Sequence, residues 1–130
     1  LYNEEPKWNY AYSNELMTSK TALNLSRGGP NKYASSNRIA SLMGNGVLTL
    51  IHSKVKYQDF FDNDEIIIYD RHDDLIDKLI RIINKPKELR IRSIRSKKSY
   101  FNYFQNNIIA DFMLNRIYGM KKKYKYVWSK

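Results

Sequence analysis

The chain has no cysteine, so disulfides and thiolate metal sites are excluded and a reducing, cytoplasmic setting is expected. Its two histidines, His52 and His72, have no carboxylate at ligand spacing, so no metal site and no cofactor is expected. No apolar run is long enough to span a bilayer, and no signal peptide is visible. Glycine and proline are scarce, five and three among 130 residues, so each reads as punctuation. Nucleophile elbow, Walker loop and dinucleotide fingerprint are all missing, because Arg27-Gly28-Gly29-Pro30-Asn31-Lys32 lacks the required spacing. No catalytic residue can be named from such motifs. Acidic residues are scarce in the last third. Residues 85–130 hold thirteen Lys/Arg against Glu88 and Asp111, a balance of +11, whereas residues 1–84 balance at −1.

What is present is organised around residues 22–51. Ala22-Leu23-Asn24-Leu25-Ser26 is a short, mostly apolar run that reads as a strand. Arg27-Gly28-Gly29-Pro30 breaks it. Ser35, Ser36 and Asn37 suit a helix start, and Ile39, Ala40, Leu42 and Met43 give that helix one apolar face. Gly44-Asn45-Gly46 ends it in a left-handed cap, and Val47–Ile51 is a strand apolar enough for burial on both faces. A loop and helix start at the carboxyl end of a parallel strand is where open α/β sheets take ligands. Unpaired N–H groups there suit an anion such as a diphosphate. Arg27, Lys32 and Arg38 flank the same turn.

Before this stretch, residues 7–18 read as a helix, with Trp8, Tyr12 and Leu16 spaced by four. After it, His52 leaves the strand on the ligand side, and Tyr57–Phe61 forms a short helix whose rings pack on the core. Glu65–Tyr69 is a third strand. A helix follows to Ile83, capped at Asp70 or His72, with Asp73 and Asp74 in its first turn. A long basic helical region runs from Glu88 to Tyr118, with a break expected near Ser96–Ser99 and Gly119 closing it. Its expected stripe is Leu89, Ile94, Phe101, Phe104, Ile108 and Phe112. The fold class is therefore α/β: a partial Rossmann-like domain, a three-stranded parallel sheet flanked by helices, with a long basic C-terminal helical region. Residues 1–118 form this domain and residues 119–130 a basic aromatic tail, solvated on its simplest reading. Three strands are few for such a sheet, and the chain opens on Leu1, so a fragment lacking upstream strands is expected. The strand at 21–26 would then present an open edge that invites self-association.

Two segments, ELMTSKTALNLSRGGPNKYASSNRIASLMGNGVLTLIHSK and YQDFFDNDEIIIYDRHDDLIDKLIRIIN, carry a resemblance extending from Glu15 to Arg116. Their order resembles the C-terminal domain of group-1 glycosyltransferases, which have the two-Rossmann-domain (B-type) fold. The matching pieces are Arg38–Gly46, Val47–Ile51, Tyr57–Phe61, Glu65–Tyr69 and Asp73–Ile83. The resemblance implies that this domain binds a nucleoside-diphosphate sugar donor for transfer to a glycan or lipid-linked acceptor in the cell envelope. By position, Ser26, Arg27, Gly28 and Gly29 match the first part of the donor loop, and Ser35, Ser36, Asn37 and Arg38 the helix start. Many relatives carry two glutamates eight residues apart; Tyr33 and Ser41 stand at those positions here, so nucleotide, sugar and stereochemistry stay open.

The acceptor would sit mostly on an N-terminal domain that this chain lacks, so the 130 residues alone are expected to show little turnover. Lys121-Lys122-Lys123-Tyr124-Lys125-Tyr126 allows membrane association through an anionic surface. A different class remains open: a basic α/β module that holds nucleic acid or an anionic surface through residues 85–130.

Overall fold

A computed structural model describes residues 5–25, 28–34 and 37–129. Three parallel strands form one sheet in the order β1-β2-β3, with β1 at Thr21–Asn24, β2 at Leu48–His52 and β3 at Ile67–Tyr69. The register sets Leu23 beside Leu50 and Asn24 beside Ile51, then Leu50 beside Ile67 and His52 beside Tyr69. Among the described residues five α-helices accompany the sheet: α1 Asn9–Thr18, α2 Asn37–Gly44, α3 His72–Ile83, α4 Pro86–Phe104 and α5 Asn106–Tyr118. The expected α/β architecture is thus present: a three-stranded parallel sheet with helices on both faces.

The central strand is buried on both faces, as its unbroken apolar run requires. Leu48 and Leu50 point to one face, where they meet Leu23, Ile67, Tyr69, Leu75, Leu79, Ile82 and Leu89. Ile51 points to the other, among Ile39, Met43, Val55, Tyr57, Phe61 and Ile66. The rings of Tyr57 and Phe61 belong to this core, as the sequence predicts, although the segment forms a 3₁₀ turn at Tyr57–Asp59 rather than an α-helix.

The α2 cap follows the glycine signal. Gly46 lies at φ +77°, its N–H donates to Met43 O, and the Val47 N–H reaches back to Leu42 O. This paired bonding closes the helix, and Val47 packs on Leu42 beneath it. Gly46 also faces the Ser93 carbonyl and Lys97 of α4, so α4 runs across the amino end of β2. That placement covers the amino edge of the sheet.

Four expectations are corrected. Trp8 is 74 % exposed and precedes α1, so only Tyr12 and Leu16 of its stripe pack inward. The cap of α3 is Arg71, with no side-chain bond; Asp74 instead accepts the Asp70 N–H from within the first turn. The helical break falls at Gln105, in extended conformation, and not at Ser96–Ser99. The buried side of α4 is Leu89 and Ser96 with Tyr100, Tyr103 and Phe104 half-buried, while Ile94 and Phe101 point outward. Serine there is a small contact residue that lets the helix approach the body, and not a breaker.

The tail differs from the solvated reading too. Tyr126 is buried, its hydroxyl donates to Asp111 at 2.7 Å, and Trp128 stacks on Phe104 at 5.3 Å. Among the described residues no helix is long and apolar enough to cross a membrane.

Candidate functional site at the carboxyl edge of the sheet

Parallel strands bring three loops together at the carboxyl edge. One follows β1 and leads to α2. The second follows β2 through a 3₁₀ turn at Ser53–Val55, and the third joins β3 to α3. Of the candidate donor residues, Ser26, Arg27, Ser35 and Ser36 lie outside the described residues. Gly28 and Gly29 stand in the first loop at φ +74° and +107°, a conformation that L side chains strain to adopt. A Cβ on either would meet nothing within 4 Å, so their role is conformational. Asn37 opens α2 and is exposed. Arg38 is also exposed, and its Nη1 donates to Leu25 O at 2.8 Å. That bond ties the guanidinium to the end of β1, beside the glycine loop.

The loop is anchored at its far end, where the Tyr33 N–H donates to Val55 O at 2.8 Å. Tyr33 takes φ +57°, and its hydroxyl donates to Asp59 Oδ2 at 2.6 Å. The bond to the Asp59 carboxylate holds the phenol above its ordinary value, with smaller contributions from burial and charge. Ser41 donates its hydroxyl to Asn37 O within the helix.

His52 ends β2, half-buried and edge-on to Tyr69 at 5.3 Å. Its Nδ1 accepts the Lys54 N–H, leaving Nε2 as the nitrogen that carries the proton in the neutral ring. Ser53 donates to Asp70, joining the second and third loops. Lys78 donates to Ile68 O at 2.7 Å and pairs with Asp74 at 2.9 Å. The Lys78 bond, then the Asp70 N–H, lower the Asp74 carboxyl below its ordinary value. Asp74 thus ties the α3 start to Asp70 and to Lys78. Among the described residues no group of three His, Cys, Asp or Glu is placed to hold a metal.

Two features escape sequence reasoning. Asn24, the last residue of β1, is buried, and its Oδ1 has no hydrogen-bond partner among the described residues. A buried acceptor without a partner costs free energy and asks for an explanation. The pairing of Tyr33 with Asp59 spans 26 residues and leaves no local pattern.

A loop with two glycines at positive φ, the tethered Arg38 and the start of α2 thus lie at the carboxyl edge of the parallel sheet of an α/β domain. A family model described as glycosyl transferase-like matches residues 2–114, most of the chain. The chain belongs to that glycosyl transferase-like family. No curated protein and no solved structure matches it.

Proposed function

We propose that this chain is the donor-binding part of a glycosyltransferase. The diphosphate of a nucleoside-diphosphate sugar would lie on the loop from β1 to α2, against Ser26, Arg27, Gly28, Gly29, Ser35, Ser36, Asn37 and Arg38. The observation behind this reading is the tether of Arg38 to Leu25 O, beside a loop with two glycines at positive φ. A cation held there would stabilise the nucleotide as it leaves with growing negative charge. The sugar would pass to a glycan or lipid-linked acceptor held mainly by an N-terminal acceptor domain in the B-type arrangement. The family match supports the chemistry; the sugar, base and acceptor are for experiment.

The test is a thermal-shift titration of uridine, guanosine, adenosine and thymidine diphosphates against the chain and its Arg27→Ala and Arg38→Ala variants. A ligand that binds only the folded state raises its stability by about 2.7 kcal/mol at a hundredfold excess over Kd. One nucleotide is expected to raise Tm, and each arginine variant to weaken it roughly tenfold or more, the scale of a lost hydrogen bond to a charged group. A folded chain that ignores all four nucleotides would end the proposal.

A second reading rests on Lys121, Lys122, Lys123 and Lys125, all exposed. They suit an anionic surface, lipid or nucleic acid, alongside the donor site.

A further inference from the structure

A cleft of about 420 Å³ opens on the α2 side of the sheet, within the size range of small-molecule sites. Its walls come from five parts of the chain: the β1–α2 loop, α2, the 3₁₀ turn at Tyr57–Asp59, the end of α4 and the tail. Tyr33, Phe60, Tyr100, Phe104 and Trp128 line it with aromatic side chains, and Asp59 supplies a carboxylate. The rings are ordered by one another. Trp128 stacks on Phe104 at 5.3 Å and 21°, Phe104 on Tyr100 at 5.7 Å and 27°, and Tyr33 tilts on Phe60 at 5.1 Å. Asp59 is exposed, and one of its oxygens accepts from Tyr33.

We infer that this cleft binds a neutral saccharide ring, a unit of the acceptor glycan. This inference rests on the glycosyltransferase reading. Aromatic walls take the C–H groups of a sugar ring by dispersion, and a carboxylate accepts from its hydroxyl groups. Charge narrows the choice of ligand. Asp59 repels phosphate, so the cleft is not a second diphosphate site. A neutral ligand that suits aromatic walls and one carboxylate acceptor is rich in hydroxyl donors and carries apolar C–H groups on its ring. Tyr33 belongs to the same loop as Gly28 and Gly29, and Ile39, another lining residue, lies one position after Arg38. A ring in the cleft would therefore lie against the segment proposed to hold the donor.

Saturation-transfer NMR on the whole chain tests this with methyl glycosides of glucose, galactose, mannose, rhamnose and N-acetylglucosamine, and with uridine and adenosine for comparison. Irradiating the aromatic protons should carry saturation to the ring C–H protons of at least one glycoside. Trp128→Ala should abolish that transfer, and Asp59→Asn should weaken binding about tenfold. Asp59 is exposed, so its substitution tests the site even where loss of Trp128 disturbs the fold. No transfer to any glycoside, transfer unchanged in both variants, or transfer to the nucleosides alone would overturn the inference. Nucleoside diphosphates are titrated separately: nucleotide binding without glycoside binding removes the cleft alone, and glycoside binding without nucleotide binding removes the donor reading alone.

Discussion

Two glycines two residues apart have opposite roles. Gly44 is the last residue of α2, in helical conformation, with open space where a Cβ would be. Gly46 stands in the left-handed region at φ +77°, where an L side chain costs about 1–2 kcal/mol. Gly46→Ala should therefore lower stability by about 1–2 kcal/mol, whereas Gly44→Ala should raise it by up to about 1 kcal/mol. Opposite Tm shifts in a differential scan would bear this out; equal losses would mean that the paired cap is not what ends α2. The cap was legible because glycine chemistry is local. Asn24 was not: one amide in a short apolar run carries no period, and its importance comes from burial and from an Oδ1 without a partner among the described residues. The donor loop falls between these cases. Its glycines announce a turn, but the tether from Arg38 to Leu25 O joins residues thirteen apart and is visible only once the strand and helix are placed.

At the scale of elements, periodicity located the strands and helices and missed which side of α4 faces inward. The apolar stripe expected on α4 included Ile94 and Phe101, yet the helix turns Ser96 to the body instead. Its cations were legible only as charge. Arg92 Nε donates to Asp64 O at 3.3 Å and its Nη2 to Ile66 O at 3.0 Å, so one guanidinium holds the turn that leads into β3. Arg95 pairs with Asp64 at 2.6 Å. Arg92→Ala should cost about 1.5–3 kcal/mol in a denaturant melt, because carbonyls lose a charged donor, while exposed Arg90→Ala should stay within about 0.5 kcal/mol.

The tail makes a second test at this scale, through pH. Burial, then the bond to Asp111, push the Tyr126 phenol up to about 12. A group whose folded value is raised contributes fully below its unfolded value of 10.0 and loses that contribution as pH rises through about 12. The Tyr126 bond lowers the Asp111 carboxyl below 3.8, so its contribution is present above that value and lost as pH falls through the depressed one. Trp128 emission, read in a Trp8→Phe chain, should therefore report a docked tail through the neutral range and release at both extremes. Asp111→Asn should remove the acid limb and lower the alkaline one only in part, since burial is the larger cause. A single limb, or none, would mean that the Tyr126–Asp111 bond does not hold the tail.

Over the whole molecule, the two ends of the fold are open in different ways. β1 and β3 are the sheet edges, and no described strand pairs with the outer side of β1. Self-association through β1 is a proposal that light scattering over a concentration series tests, and a monomer at every concentration would dismiss it. The second opening is electrostatic. The +11 balance of residues 85–130 is smaller in effect than its count, because Arg92 and Arg95 act within the fold, Arg92 on backbone carbonyls and Arg95 on Asp64. Lys121, Lys122, Lys123 and Lys125 are different: they are exposed, and they lie beyond the segment that the family model matches. Family membership therefore assigns them no role, and the anionic surface they suit must be tested directly. Each lysine near an anionic bilayer contributes about 1 kcal/mol, so four together should weaken vesicle binding up to roughly a thousandfold when all become glutamine. Co-sedimentation with phosphatidylserine vesicles should show that loss, and added salt should mimic it by screening. Binding to single-stranded RNA, measured in parallel, separates the alternatives. If RNA binding falls with the lysines and vesicle binding does not, the tail is a nucleic-acid contact. If neither binds, the four lysines do not hold an anionic surface, and that reading of the tail is dismissed.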